Sequence, residues 1–397
     1  MSVRTRLVVS IAVVLVVALG GLVAVIAALA TDQAQRDGLR NAESLAVTQA
    51  QQVEAGFSRQ GGTAQSLAQA LGTMADGRRG DRAYADALER RLLTADPSLL
   101  GVWSAFEPNA FDGRDGLHVT DPTSDATGRY ISYWYRDGGG IAVSPLVDYE
   151  IPGVGDYYRL PRDSGHDVAM EPYLYEVAGE QVMMTSLATP VRVNDSIVGV
   201  AGVDVPLATI QEQVAAIRPY DVGHAVLVST QGLVVASNRP GDEPGVVAEG
   251  TAAEVAAAAA EAGKPVRRTV DGDDGRTVYV AAPVQVGTGQ QWAVLVEIPE
   301  DAILADAHGL RTTILTGAAV TLLLAGLATF FVARGVVRPL DRLRRRMEEI
   351  ADGDGDLTAR VDERPARTRS AASGQRSTAS SPRWPTPSPA SAGRPPR

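Results

Sequence analysis

Two runs without a charged residue, Leu7 to Ala30 and Thr312 to Ala333, constrain this 397-residue chain more than any other feature. At ~1.5 Å of helix rise per residue, each is long enough to cross the roughly 30 Å hydrocarbon core of a bilayer. The first run exceeds the ~7–15 apolar residues of a cleaved secretory core and continues into a polar helical pattern, so it reads as an uncleaved anchor. Arg4 and Arg6 precede the first run, while Arg334, Arg338, Arg342, Arg344, Arg345 and Arg346 follow the second. The positive-inside rule then places both chain ends in the cytoplasm. The expected order is a cytoplasmic N-terminus over 1–6, a transmembrane helix over 7–30, an extracytoplasmic region over 31–310 and a second transmembrane helix over 312–333.

The net charge of −10 is the sum of two opposite fields. Region 31–310 holds 20 Lys+Arg against 39 Asp+Glu, and the rest of the chain is net positive. An acidic exterior disfavours nucleic acid as a partner and suits cationic ligands. With no cysteine, the exterior has neither disulfides nor thiolate metal sites and must rely on its core.

After the first span, Val53, Phe57, Ala64, Leu67, Leu71 and Met74 recur at heptad-like intervals and predict one extended amphipathic helix. Its apolar stripe fits packing on its own domain and a dimer stalk equally well. From about 95 the pattern changes to short strand-like runs between Gly, Pro and Asp turns, including Leu99 to Phe106, Tyr130 to Tyr135, Val182 to Val193 and Ile197 to Val205. A shorter second set follows. His224 to Val228 and Leu233 to Ser237 read as a hairpin, and Thr277 to Val286 and Gln291 to Ile298 as two further strands. Between them, Thr251 and Glu254 read as a capping box opening an Ala-rich helix that Gly263 closes. The expected fold class is α+β, with two units hung on one long helix. Past the second span, Val336 to Ile350 predicts a short amphipathic helix with Pro339 in its first turn. Residues 364–397 contain seven Pro and seven Arg but no Leu, Ile, Val, Phe, Asp or Glu, so they predict a disordered tail.

The run Ser196-Ile-Val-Gly-Val200, Ala201-Gly-Val-Asp204-Val-Pro-Leu207, and the later stretch from Gly223 to Ser237, resemble the double Cache domain of methyl-accepting chemotaxis receptors. That resemblance implies two PAS-like modules on a long N-terminal helix, a distal one over about 85–212 and a proximal one over about 213–300, with the ligand in the distal module. It also implies a homodimeric membrane receptor. Arg338-Pro-Leu340 and Met347 to Thr358 resemble the first helix and connector of a HAMP relay, taken as a partial HAMP over 334–363. The second HAMP helix is missing where the tail begins. The tail has the composition of a shifted reading frame in GC-rich DNA, which reading the genomic sequence beyond codon 363 in three frames would test.

Residues 130–186 crowd aromatics and acids, in a chain that is only 5% aromatic. Tyr and Trp also fill cores and stabilise strands; here the sharper reading is a cage for an ammonium group, worth ~0.5–2 kcal/mol per ring contact. Amino-acid-binding members of the resembled family place an Arg two residues before a Trp-Tyr pair to clamp the ligand carboxylate. This chain has Gly155 before Tyr157-Tyr158, so the resemblance points to the amine-recognising branch. The expected site residues are Trp134, Tyr157, Glu171, Tyr173 and Asp204, the rings offering negative faces and the carboxylates compensating charge.

His118, His166, His224 and His308 lack metal-ligand spacing. Asp352, Asp354, Asp356 and Glu363 imitate a calcium loop, but Leu357 replaces its turn glycine. Asp271, Asp273 and Asp274 read as a solvated turn. With no phosphate loop, nucleophile elbow or paired-carboxylate motif in context, the expectation is a receptor with no enzymatic activity, metal or cofactor. Rival readings are the sensor half of a histidine kinase or diguanylate cyclase, a membrane-anchored binding protein without signalling, and an extracytoplasmic hydrolase.

Overall fold

The computed structural model describes residues 3–272 and 275–332. The predicted relay helix, connector and tail, and Asp273 and Asp274 of the acidic turn, lie outside the described residues. Residues Arg6–Thr329 form one compact unit. The remaining described residues belong to a unit of the two chain ends, where the Phe330 and Phe331 rings meet edge-on at 5.8 Å.

Helix α1 (Val3–Ala75) runs unbroken for 73 residues, about 110 Å at the α-helical rise. Its beginning exposes Val13, Val14, Val17, Leu22 and Ile26, and α7 (Ala305–Val332) exposes Leu323, Leu324 and Phe331, so both offer the long apolar surface of a membrane span. The predicted stripe is spent within the chain: Val53, Phe57, Ala64, Leu67 and Leu71 are buried in the main core and Met74 packs on it. Phe57 meets Trp292 edge-on at 4.9 Å.

A first sheet follows α2 (Arg82–Ala95) and is built from β1 (Gly101–Phe106), β2 (Ser132–Arg136), β3 (Ile141–Pro145), β4 (Val168–Ala169), β5 (Tyr173–Val177), β6 (Glu180–Val193) and β7 (Ser196–Pro206), with α3 (Asp156–Ser164) crossing between β3 and β4. Its order is β3-β2-β1-β7-β6-β4, and β5 also pairs with β6, all antiparallel. Both faces are covered. Val102, Phe106, Val203 and Leu187 face the core shared with α1 and α2, whereas Trp103, Tyr133, Met184 and Ala188 join Tyr157 and Tyr158 of α3 in a second cluster. Hence β1 is buried at every position and shows no alternation in sequence.

Helix α4 (Leu207–Ala215) leads to the second sheet: β8 (His224–Val228), β9 (Val234–Ser237), α5 (Gly250–Ala262), β10 (Val266–Gly272), β11 (Gly275–Gly287) and β12 (Gln290–Pro299), in the order β10-β11-β12-β8-β9. Trp292, Val294, Val296 and Ile298 face the core shared with α1; Ala293 and Leu295 face Val255, Ala256 and Ala259 of α5. A four-residue α6 (Glu300–Ile303) precedes α7. Gly263 ends α5 in the left-handed region at φ 61°, as its sequence position implies. The capping box does not form. The helix begins at Gly250, so Thr251 lies inside the first turn without a side-chain capping bond, and Glu254 pairs with Arg268 instead.

Residues 38–57 of α1 accompany the second sheet and the α6 that follows it, through Phe57 against Trp292 of β12 and Gly38 against Ile303 of α6. Residues 60–72 accompany the first, through Gln60 to Ser98 and Gly72 against the Arg192 carbonyl. Along the helix, the second sheet is therefore nearer the apolar segment.

Candidate ligand-binding site

A cavity of about 1300 Å³ opens on the α3 face of the first sheet. Tyr133 and Tyr135 of β2 and Tyr173 and Tyr175 of β5 line it. They reach it because alternate residues of a strand share a face. Tyr133 meets Tyr135 at 5.1 Å and Tyr175 edge-on at 5.8 Å, and Tyr173 meets Tyr175 at 6.3 Å, giving a connected aromatic wall.

The same parity removes Trp134 from the cage. Between Tyr133 and Tyr135, it projects to the opposite face, packs on the core shared with α1 and α2, and has Arg90 over its ring at 6.0 Å. Tyr157 does not line the cavity and stands behind the wall: its hydroxyl donates to Val147 O at 2.6 Å, and its ring braces Trp103 and Tyr175 edge-on. Tyr173 and Glu171 line the cavity, and Asp204 lies beneath it.

Asp204, near the end of β7, is 3% exposed. Its Oδ1 accepts from Trp103 Nε1–H at 2.8 Å and from Ser186 Oγ–H at 2.6 Å. Because Ser186 spends its proton on the carboxylate, Tyr173 Oη–H must donate across the 2.6 Å link to Ser186 Oγ, so the cavity wall reaches Asp204 through two hydroxyls. The Tyr133 hydroxyl sits beside the carboxylate. Burial pushes the Asp204 carboxyl above its usual range, opposed by the bonds from Ser186 and Trp103 and by the neighbouring Tyr133 hydroxyl. Burial likewise raises the Tyr173 and Tyr133 phenols well above theirs. Asp204 has no ion-pair partner among the described residues, so this pole of the site holds an uncompensated charge when ionised.

The acids on the cavity wall are Asp148, Asp156, Glu171 and Glu176, and among the described residues no Lys, Arg or His lines it. Asp156 pairs with Arg159 at 3.2 Å; the other three have no ion pair among the described residues. Glu171 is lifted above the usual carboxylate range by burial. Gly155, the position of the clamp residue in the resembled family, has no room for a side chain, since a Cβ there would lie 2.3 Å from Asp148 O.

Trp103 escaped notice in the sequence. A signal was present: Gly202 interrupts β7 directly opposite it, and a Cβ at Gly202 would come within 2.2 Å of the indole. Thr230, Gln231 and Gln290, which reach the cavity from the second sheet, carried no local signal.

Residues 30–307 match the Cache domain and residues 331–367 the HAMP domain. Methyl-accepting chemotaxis protein TlpQ of Pseudomonas aeruginosa is 30% identical over 305 residues, which are 68% of this chain and 42% of TlpQ. The chain thus spans less than half the length of that relative. Among solved structures, the extracellular domain of mmHK1S-Z3, a protein named as a histidine kinase, shares 29% identity at a TM-score of 0.60, covering 69% of this chain and 98% of that domain. A structure named Methyl-accepting Chemotaxis protein X shares 28% identity at a TM-score of 0.55, covering 69% and 99%. With two antiparallel sheets on one long helix and a Cache match over most of its length, the chain belongs to the Cache domain family and is homologous to methyl-accepting chemotaxis proteins.

Proposed function

We propose that this protein is a transmembrane chemoreceptor whose 31–310 region lies outside the cytoplasm, binds a small amine or quaternary amine in the first-sheet module, and relays occupancy through HAMP to a cytoplasmic output. The observation that carries the ligand class is the cavity's charge: four carboxylates on its wall, a fifth buried beneath Tyr173, and no basic side chain among the described residues. A zwitterionic amino acid would bring its own carboxylate into this field without a partner, because Gly155 cannot be replaced by a clamp without moving backbone. A cation gains from the aromatic and acidic parts of the wall. Tyr133, Tyr173 and Tyr175 offer ring faces to an ammonium, and Asp204 and Glu171 supply charge. A quaternary ammonium has no N–H and relies on the rings, whereas a primary amine also needs the carboxylates as acceptors.

The relay is a population shift: ligand favours one arrangement of the module against α1 and α7, by no more than its difference in affinity for the two states. The receptor acts as a homodimer across faces of α1 not consumed by its own core. No enzymatic step is assigned to it. The likeness to mmHK1S-Z3 favours one alternative, the sensor half of a histidine kinase, which shares this ligand chemistry and differs only in output.

Calorimetry on the 397-residue chain in lipid nanodiscs tests the ligand class. Choline or ethanolamine is expected to bind in the micromolar range; binding of neither, together with tight binding of succinate, would remove the amine reading.

A further inference from the structure

The segment Asp167–Tyr173 lies between the two sheets and is bonded to both. Toward the second sheet, Thr288 N–H donates to Asp167 O at 3.2 Å. The Gln290 carboxamide then pairs with both backbone groups of Ala169, accepting from its N–H at 2.8 Å and donating to its carbonyl at 3.0 Å. Glu171 Oε1 accepts from Gln231 N–H at 3.2 Å. The approach is close, since a Cβ at Gly287 would lie 3.1 Å from Ala169 N. Toward the first sheet, Met170 bonds the other way, its N–H donating to Ser186 O at 2.8 Å and its carbonyl accepting from Thr185 Oγ1–H at 2.6 Å. Tyr173, at the end of the segment, opens the hydroxyl path to Asp204.

This strap is also cavity wall: Met170, Glu171 and Tyr173 line the space together with Thr230, Gln231 and Gln290. Glu171 Oε2 is buried and lacks a well-formed hydrogen bond among the described residues, with the Ser229 hydroxyl near the carboxylate. An unpaired buried acceptor is costly to keep, and a donor or cation in the cavity relieves it.

Resting on the amine reading, we propose that the second sheet takes part in ligand binding through this strap: Glu171 is shared between the ligand and Gln231 N–H, and Gln290 is the positioning residue that holds its carboxylate in place. Ligand at Glu171 Oε2 then competes for the charge that holds the 229–232 turn. Binding is thereby read by the sheet that packs on the part of α1 nearer the apolar segment. Gln290 borders the cavity, but its carboxamide is committed to Ala169, so it acts on affinity by positioning the strap.

Hydrogen–deuterium exchange and calorimetry on the full chain in nanodiscs, with choline and ethanolamine as probes, test this. Without ligand, Gln290→Ala is expected to speed exchange of the Ala169 amide at least tenfold, and Glu171→Ala that of Gln231. With the amine that binds, the wild type is expected to change exchange at 229–232, Glu171→Ala to lose that change, and Gln290→Ala to bind at least fivefold more weakly. Unchanged apo exchange of 167–173 in Gln290→Ala would show that the second sheet does not hold the strap and overturn the proposal, whatever binds. Amine binding that leaves 229–232 unchanged would overturn it while sparing the amine reading. Absence of binding by either amine removes that reading and this proposal with it.

Discussion

Replacing Asp204 by Asn separates the charge of the buried carboxylate from its hydrogen bonds. Asn is nearly isosteric. Its Oδ1 can keep the bonds from Trp103 Nε1 and Ser186 Oγ, and its new N–H group faces Tyr133 Oη, a buried hydroxyl with no hydrogen-bond partner among the described residues. The fold should therefore persist. Since burial raises the Asp204 carboxyl, stability contributed by its neutral form is lost as pH rises through the raised value, and Asp204→Asn escapes that loss. Its thermal midpoint at pH 7.5 should equal or exceed that of the wild type. The cost falls on binding. An ammonium held by the tyrosine wall at ~6 Å from the carboxylate, in an effective dielectric of about 20, is attracted by roughly 3 kcal/mol. Losing this attraction weakens binding on the order of 100-fold. Calorimetry of both proteins with choline and ethanolamine at two ionic strengths measures it, and the buried pair should respond only weakly to salt. An affinity for either amine within threefold of wild type, in a variant that melts normally, would refute the assignment of Asp204 as the charge pole.

Three further outcomes follow from the same geometry. Glu89 is fully buried in a ring with Ser104 Oγ at 2.6 Å and Ser132 Oγ at 2.5 Å, themselves 3.1 Å apart, and its carboxyl is raised from 4.5 to about 8, chiefly by burial. The protonated acid lets all three groups donate in one direction round the ring. The folded state thus holds a proton that the unfolded state releases near 4.5, so this stability is complete below that pH and fades toward 8. The full effect is bounded at about 5 kcal/mol. Glu89→Gln should keep the ring and flatten the fall in thermal midpoint between pH 6 and 9, and a wild-type midpoint that climbs relative to the variant over that range would contradict the account. Phe57→Ala empties the buried contact with Trp292 and should destabilise the chain by about 3–5 kcal/mol; a thermal midpoint within 2 °C of wild type would mean α1 is not packed there. Gly155→Arg places a Cβ against the Asp148 and Tyr149 backbone, so it should lower the thermal midpoint without creating affinity for L-alanine, and an unperturbed variant that binds L-alanine would show that the loop yields.

Long-range chemistry was legible in this sequence only where a physical requirement is local. A membrane demands ~20 consecutive apolar residues, so the two helices long and apolar enough to cross one could be read directly, and a left-handed helix end selects glycine, so Gly263 marked the end of α5. Sidedness was not legible in the first sheet, because helices cover one face and α3 the other. Adjacent residues there are equally aromatic, and Tyr133, Trp134 and Tyr135 look alike in sequence although only the outer two reach the cavity. Asp204 announced itself because a carboxylate is anomalous in a strand that is otherwise nearly all apolar or glycine. Glu171 stood out through the crowd of aromatics and acids around it, whereas Gln290 had no such anomaly, being an ordinary polar residue at the start of a strand, and its role depends on a contact that spans 121 residues between Ala169 and Gln290. A site walled by one module can be inferred from a cluster of residue types. A wall contributed by a second module appears only when the chain is folded, which is why the strap between the sheets, rather than the tyrosine cluster, is where the structure adds most to the sequence.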